Sequence, residues 1–138
     1  KRLGEIMVRN QGKGFIVVRF GNVLGSRGSV IPIWQRQMDN KEPLTVTHPE
    51  MTRYFMTIEE AVGLVVKAAE HGKGGQTYVL DMGKRVSILQ LAKDIIEKAR
   101  YGGGIKEIGI RAGELMHEKL MFEEEEKVAV KTDNFWII

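Results

Sequence analysis

The stretch VVRFGNVLGSRGSVIPIW, Val17 to Trp34, passes from a β-branched apolar segment through three glycines and an arginine into a segment with helical spacing. Glycine lets a backbone approach a bound group closely, and a helix amino terminus attracts anions, so strand, glycine loop and helix together point to a ligand-binding turn. Residues 15–20, FIVVRF, are apolar or aromatic at five of six positions without strict alternation. That pattern predicts a strand buried on both faces, as in a parallel sheet. Beyond the loop a helix is expected from about Ser29 to Asn40, with Pro32 suited to its first turn.

The glycine spacing limits what kind of turn this is. Gly21 to Gly28 reads G-x3-G-x2-G, whereas a dinucleotide-binding turn reads G-x-G-x-x-G. That turn also wants an acidic residue closing the next strand, and here Thr47 and His48 stand there. Leu24 occupies the first glycine position of G-x-S-x-G, so the loop is not a nucleophile elbow. Two readings stay open: a tight turn of positive-φ glycines, or an anion seat built on Arg27 and nearby backbone N–H groups.

Outward from the loop, PLTVT (43–47) and TRYFMT (52–57) read as short strands around a His48-Pro49 turn. Thr57-x-x-Glu60 predicts a capping box opening a helix whose apolar face is Ile58, Ala61, Val62, Val65, Val66 and Ala69, with Gly72 to Gly75 ending it. QTYVLDMG (76–83) is a strand running into a turn. Ser87-x-x-Gln90 predicts a second capping box, opening a helix with Ile88, Leu91, Ala92, Ile95, Ile96 and Ala99 on one face. IKEIGI (105–110) is another strand. The opening KRLGEIMVRNQG places Leu3, Ile6 and Met7 on one helical face, with Gly12 as its stop. No cap and no initiator methionine precede it, which suggests a fragment that begins inside a helix. The alternation of strands and helices predicts an α/β fold.

The chain has 138 residues, 43% hydrophobic and 28% charged, enough for a soluble domain with a core. No segment has the apolar length of a membrane span, and no signal peptide opens the chain. The absence of cysteine excludes disulfides and thiolate metal sites, and fits a cytoplasmic protein. A net charge of +3 allows an anionic partner, but Lys and Arg are scattered and not interleaved with aromatics, which argues against nucleic acid. Glu123 to Glu126 reads as a solvated face. His48, His71 and His117 lack ligand spacing, so no metal is expected. With no paired carboxylates and no Ser-His-Asp pattern, no catalytic residue is assigned. Arg53, in an apolar aromatic strand, and Arg111, in GIRAGE, join Arg27 as candidates to clamp a diphosphate. Singly, each reads as readily as a surface or ion-paired arginine.

Taken in order, VVRFGNVLGSRGSVIPIW, MTRYFMTIEEAV, TYVLDMGKRVSILQLAKDI and GIRAGELMHEKL resemble the inverting UDP-N-acetylglucosamine 4,6-dehydratases. These are extended short-chain dehydrogenases/reductases of polysaccharide and flagellin-sugar biosynthesis. The resemblance runs to about Glu126. GNVxGSRGS and MTRxFMT are specific to the group, whereas RxGE is shared more loosely with nucleotide-sugar epimerases. It implies the carboxyl-terminal part of a Rossmann-like fold with its small substrate-binding region. Residues 1–43 and 57–83 would belong to the sheet and its helices, and 44–56 and 84–138 to the nucleotide-sugar-binding region.

The same resemblance implies residue roles. Asn22 is expected to touch the nucleotide sugar, with Val30 and Thr47 facing it. Val23, Leu24, Gly25, Ser26 and Arg27 would lie along the nicotinamide end of NADP. Arg53 and Arg111 would hold the diphosphate, and Glu114 would accept from ribose hydroxyls. KRLGE resembles the end of a Tyr-x-x-x-Lys motif and its continuation, which makes Lys1 that lysine and a cofactor contact. Ala112 stands where the family usually has proline; the change loosens the turn but spares Arg111 and Glu114. The implied reaction is redox-neutral: a hydride leaves C4 of the sugar, the C5 proton and C6 hydroxyl are lost, and the hydride returns at C6. The family's dinucleotide fingerprint and acid/base Asp and Lys have no counterpart in these residues. The chain is therefore expected to be the UDP-sugar-binding half of such an enzyme, inactive alone, which self-associates or pairs with an amino-terminal half. The alternatives are part of a UDP-sugar 4-epimerase, or a non-catalytic UDP-sugar-binding or subunit-interaction module.

Overall fold

A computed structural model describes residues 1–11, 14–26, 28–132 and 134–138. In chain order the first elements are α1 (Arg2–Asn10), β1 (Val17–Arg19), β2 (Asn22–Val23), α2 (Val30–Asp39) and β3 (Leu44–Val46). Next come β4 (Thr52–Arg53), β5 (Phe55–Met56), α3 (Ile58–His71), β6 (Thr77–Leu80) and β7 (Val86–Ser87). The last are α4 (Ile88–Ala99), β8 (Ile105–Glu107), α5 (Glu123–Glu126), β9 (Val130–Lys131) and β10 (Phe135–Ile137). The chain divides into two compact units, one of residues 1–21, 56–82 and 119–138 and the other of 22–55 and 83–118.

The first unit is built on a four-stranded sheet in the order β1-β6-β10-β9. β1 runs parallel to β6, pairing Val17 with Thr77 and Arg19 with Val79, whereas β10 is antiparallel to β6. α3 covers the sheet through Leu64 and Ala68, which pack with Tyr78, Ile16, Val18, Leu80, Phe135 and Ile137. The capping box forms as expected: Thr57 Oγ1 accepts the Glu60 N–H at 3.1 Å, and Glu60 Oε2 accepts the Thr57 N–H at 2.7 Å. Gly72 ends α3 where a Cβ would run into the Ala68 carbonyl and the Ile16 side chain. β1 lies at one edge of this sheet. α1 forms, but buries none of its residues, and Leu3, Ile6 and Met7 are 71%, 45% and 58% exposed. Its expected stop, Gly12, lies outside the described residues.

The glutamate run corrects an expectation. It forms α5, and one of its four residues, Glu125, is buried. Its carboxylate takes Arg19 Nη1 at 2.6 Å and Nη2 at 2.9 Å, and pairs with Arg2 Nη2 at 2.7 Å. Glu5 completes the cluster, accepting from Arg19 Nη2 at 2.7 Å. A carboxylate loses its hydration here only because two guanidiniums replace it.

The second unit gathers around Trp34, Leu44, Val46, Met51, Ile88 and Ala92. Trp34 is fully buried, and its indole N–H still finds the Thr45 carbonyl at 2.8 Å. Gln37 clamps the same residue, donating to Thr45 Oγ1 at 2.9 Å and accepting the Thr45 N–H at 3.0 Å. β3 runs parallel to β8, and β4 antiparallel to β7. TRYFMT is two strands rather than one: β4 serves β7, and the chain breaks at Tyr54, whose carbonyl accepts the Asn22 N–H at 2.8 Å. Only half of the second capping box forms. Ser87 Oγ accepts the Gln90 N–H at 3.2 Å, but the Gln90 amide turns forward to Asp94 at 2.7 Å.

The compact segment 56–82 falls within one residue of the expected 57–83, whereas residues 22–43 and 119–138 group differently from the expected division. Residues 22–43 join 44–55 because Trp34 of α2 sits in the core of β3 and α4. Residues 119–138 join the sheet unit because β10 pairs with β6.

Candidate functional site

Arg53 is the centre of the site. β4 holds it only 7% exposed, so its donors need partners within the protein. Nη1 donates to the carbonyls of Thr52 at 2.8 Å and Met116 at 3.0 Å. Nη2 reaches Glu114 Oε1 at 3.5 Å, and Nε faces Glu118 Oε1 at 3.7 Å. Glu114 is held in turn by the loop before it. Its Oε2 accepts the Arg111 N–H at 3.4 Å, and its own N–H donates to the Arg111 carbonyl at 3.0 Å. Gly113, at φ 81°, makes that turn possible. The structure thus joins Arg53, Arg111 and Glu114, which lie up to 61 residues apart. Arg111 is exposed, and among the described residues its guanidinium has no hydrogen bond or ion pair.

The glycine loop belongs to the same unit. Asn22 and Val23 form β2, and a turn follows over Leu24 and Gly25, closed by the Ser26 N–H on the Val23 carbonyl at 3.3 Å. Gly25 has φ 73°, with open space where a side chain would stand, so the backbone here is approachable. Arg27 lies outside the described residues. Ser29 opens α2, and its Oγ is buried without a partner among the described residues. Val30 leans on the Trp34 cluster and therefore also serves packing. Thr47 Oγ1 donates to Met51 Sδ at 3.1 Å. Lys1 lies in the other unit, exposed, as the residue before α1, and its carbonyl accepts the Glu5 N–H at 3.1 Å.

Two residues of this site escape sequence reasoning. Glu118 stands four positions after Glu114, but nothing in GELMHEKL says that the segment folds back on β4. The Thr52 to His117 bridge and the Thr52 N–H on the Met116 carbonyl, at 3.1 Å, do that. Arg85 lies one step beyond the Arg53 to Val86 pair, with its guanidinium 5.3 Å from the centre of the Tyr54 ring. The long-range pairing of β4 with β7 places it there, and no local pattern in the sequence reveals that pairing. Among the described residues no group of three or more His, Asp or Glu could hold a metal, and no helix is long and apolar enough to cross a membrane.

The mixed α/β architecture, with a partial Rossmann-like region, is that of short-chain dehydrogenases/reductases such as nucleotide-sugar dehydratases and epimerases. The chain belongs to the family described as polysaccharide biosynthesis protein, which it matches over residues 3–138. It is 50% identical over 133 residues to the capsular polysaccharide biosynthesis protein CapD of Staphylococcus aureus, a match covering 91% of this chain and 22% of CapD. It is 40% identical over 124 residues to a UDP-glucose 4-epimerase of Rickettsia felis, covering 89% of this chain and 36% of the epimerase. The X-ray structure of Pen from Bacillus thuringiensis superposes with a TM-score of 0.93 at 36% identity, over 100% of this chain and 46% of that one. The chain spans 22% of CapD's length and 36% of the epimerase's.

Proposed function

We propose that the chain is the substrate grip of an NADP-dependent UDP-N-acetylglucosamine 4,6-dehydratase, supplying ligand contacts rather than proton-transfer groups. The observation that carries this reading is the Glu114 bridge between Arg53 and the Arg111 loop. A diphosphate needs two guanidiniums at a fixed spacing, and one carboxylate anchored to both elements sets that spacing. The dehydratase assignment rests on the motifs around Asn22 and Arg53, and CapD supports the polysaccharide context.

The residues suit the ligand. Asn22 has an amide for sugar or phosphate oxygens, and its backbone is pinned to Tyr54, next to Arg53. Val30 and Thr47 offer an apolar face and a hydroxyl. Beyond holding Arg53, the Glu114 carboxylate would accept from ribose hydroxyls. The turn from Val23 to Ser26 would suit the flat nicotinamide end of NADP, because Gly25 leaves its backbone open; Arg27 is assigned to the same end by the family resemblance alone. Lys1 is proposed as a cofactor contact on the family resemblance alone. When bound, the nicotinamide supplies a reversible hydride acceptor, and this chain's own residues bind and orient the substrate.

The Rickettsia felis epimerase, at 40% identity, favours UDP-glucose 4-epimerase chemistry as a second reading. Calorimetry with UDP-N-acetylglucosamine, UDP-glucose and UMP separates the two. Binding should favour UDP-N-acetylglucosamine, with UMP far weaker for want of the second phosphate. A preference for UDP-glucose would favour the epimerase, and equal binding of UMP would reject a diphosphate grip. Incubated with UDP-N-acetylglucosamine and NADP, this chain should yield no product lighter by one water; such a product in mass spectrometry would reject the assignment of grip without chemistry.

A further inference from the structure

We infer that Glu118 is a resident counter-charge that sets how strongly Arg53 attracts an anion, and so tunes the affinity and charge selectivity of the site. This rests on the reading of Arg53 as a diphosphate contact. The four acceptors around the Arg53 guanidinium are of two kinds. The carbonyls of Thr52 and Met116, at 2.8 and 3.0 Å, are neutral and fix the direction of the fork. The carboxylates of Glu114 and Glu118 supply charge, at the looser distances of 3.5 and 3.7 Å.

The two carboxylates differ in how they are held. Glu114 is tied to the Arg111 amide, so removing it disturbs the loop as well as the charge. Glu118 stands beyond hydrogen-bond reach of Arg53 with 40% of its side chain exposed. It therefore contributes field without geometry. Arg53 is buried, and removing the part-exposed Glu118 carboxylate leaves the two carbonyl bonds that orient it in place. What changes is the local potential. With both carboxylates present, a singly charged anion gains little by displacing them. A diphosphate gains more because it also reaches Arg111.

The test is calorimetric titration of UDP and UMP into the full chain and into Glu118→Gln, Glu118→Ala and Arg53→Ala, at low and high salt. Both Glu118 variants should bind UDP roughly two- to fivefold more tightly at low salt. The gain should shrink at high salt, and it should be larger for UDP than for UMP, because the repulsion removed scales with the charge of the ligand. Arg53→Ala should weaken UDP binding. If Arg53→Ala weakens binding while the Glu118 variants bind UDP equally or less well, Glu118 is not a counter-charge, although the diphosphate reading stands. If only one Glu118 variant gains, the effect is one of shape and the inference fails. If Arg53→Ala changes nothing, the diphosphate reading fails and the inference with it.

Discussion

Arg19 and Glu125 form a two-pronged ion pair, at 2.6 and 2.9 Å, between residues 106 positions apart. The pair ties β1 to α5, and both side chains are only 9% exposed. Removing one partner of a buried pair leaves an uncompensated charge and costs about 3–5 kcal/mol. Glu5 still faces Arg19, so Glu125→Ala should fall near the lower end of that range, with Glu125→Gln milder. Urea unfolding measures it. A midpoint unchanged in Glu125→Ala would mean that the cluster does not hold this unit together.

Gly72 is required for space rather than for backbone freedom, since its φ of −75° suits any residue. An added methyl group meets the Ala68 carbonyl, a backbone atom that cannot rotate away, as well as Ile16 and Tyr78. Gly72→Ala should therefore destabilise by about 1–3 kcal/mol, although alanine is otherwise the less flexible residue in the unfolded chain. Thermal unfolding checks this, and a raised midpoint would show that the α3 end yields easily.

The edge position of β1 makes a prediction about individual amides. The Val17 N–H bonds to the Gln76 carbonyl at 3.0 Å, so by strand alternation the Val18 N–H points away from β6. In the monomer Val18 should exchange far faster than Tyr78, whose strand is flanked on both sides. An unpaired edge of apolar residues is also a template for another strand, so the chain should self-associate as concentration rises. Amide exchange with analytical ultracentrifugation tests both. A monomer at every concentration, with Val18 strongly protected, would contradict the open edge.

How much of this was legible depended on whether the signal was local. The α3 capping box was, because Thr57 and Glu60 need only each other. Ser87-x-x-Gln90 looks identical, yet Asp94 sits one turn on and takes the Gln90 amide. Glu125 resembles its three neighbours in sequence and differs only in facing Arg19, which no local pattern reveals. Arg53 stood out as a lone charge in an apolar strand. Its partners did not, because Met116 and Glu118 reach it through a chain reversal that has no sequence signature. The same holds for α2, whose place in the second unit comes from the burial of Trp34.

The central claim is that Arg53 and Arg111 together hold a diphosphate, and UDP titration of Arg53→Ala and Arg111→Ala tests it most directly. Each substitution removes a charge-assisted hydrogen bond worth about 1.5–3 kcal/mol, so the Kd for UDP should rise roughly tenfold or more in either variant. The loss in Arg111→Ala should come without loss of stability, since that side chain is exposed. Binding of UDP unchanged in both variants would contradict the account.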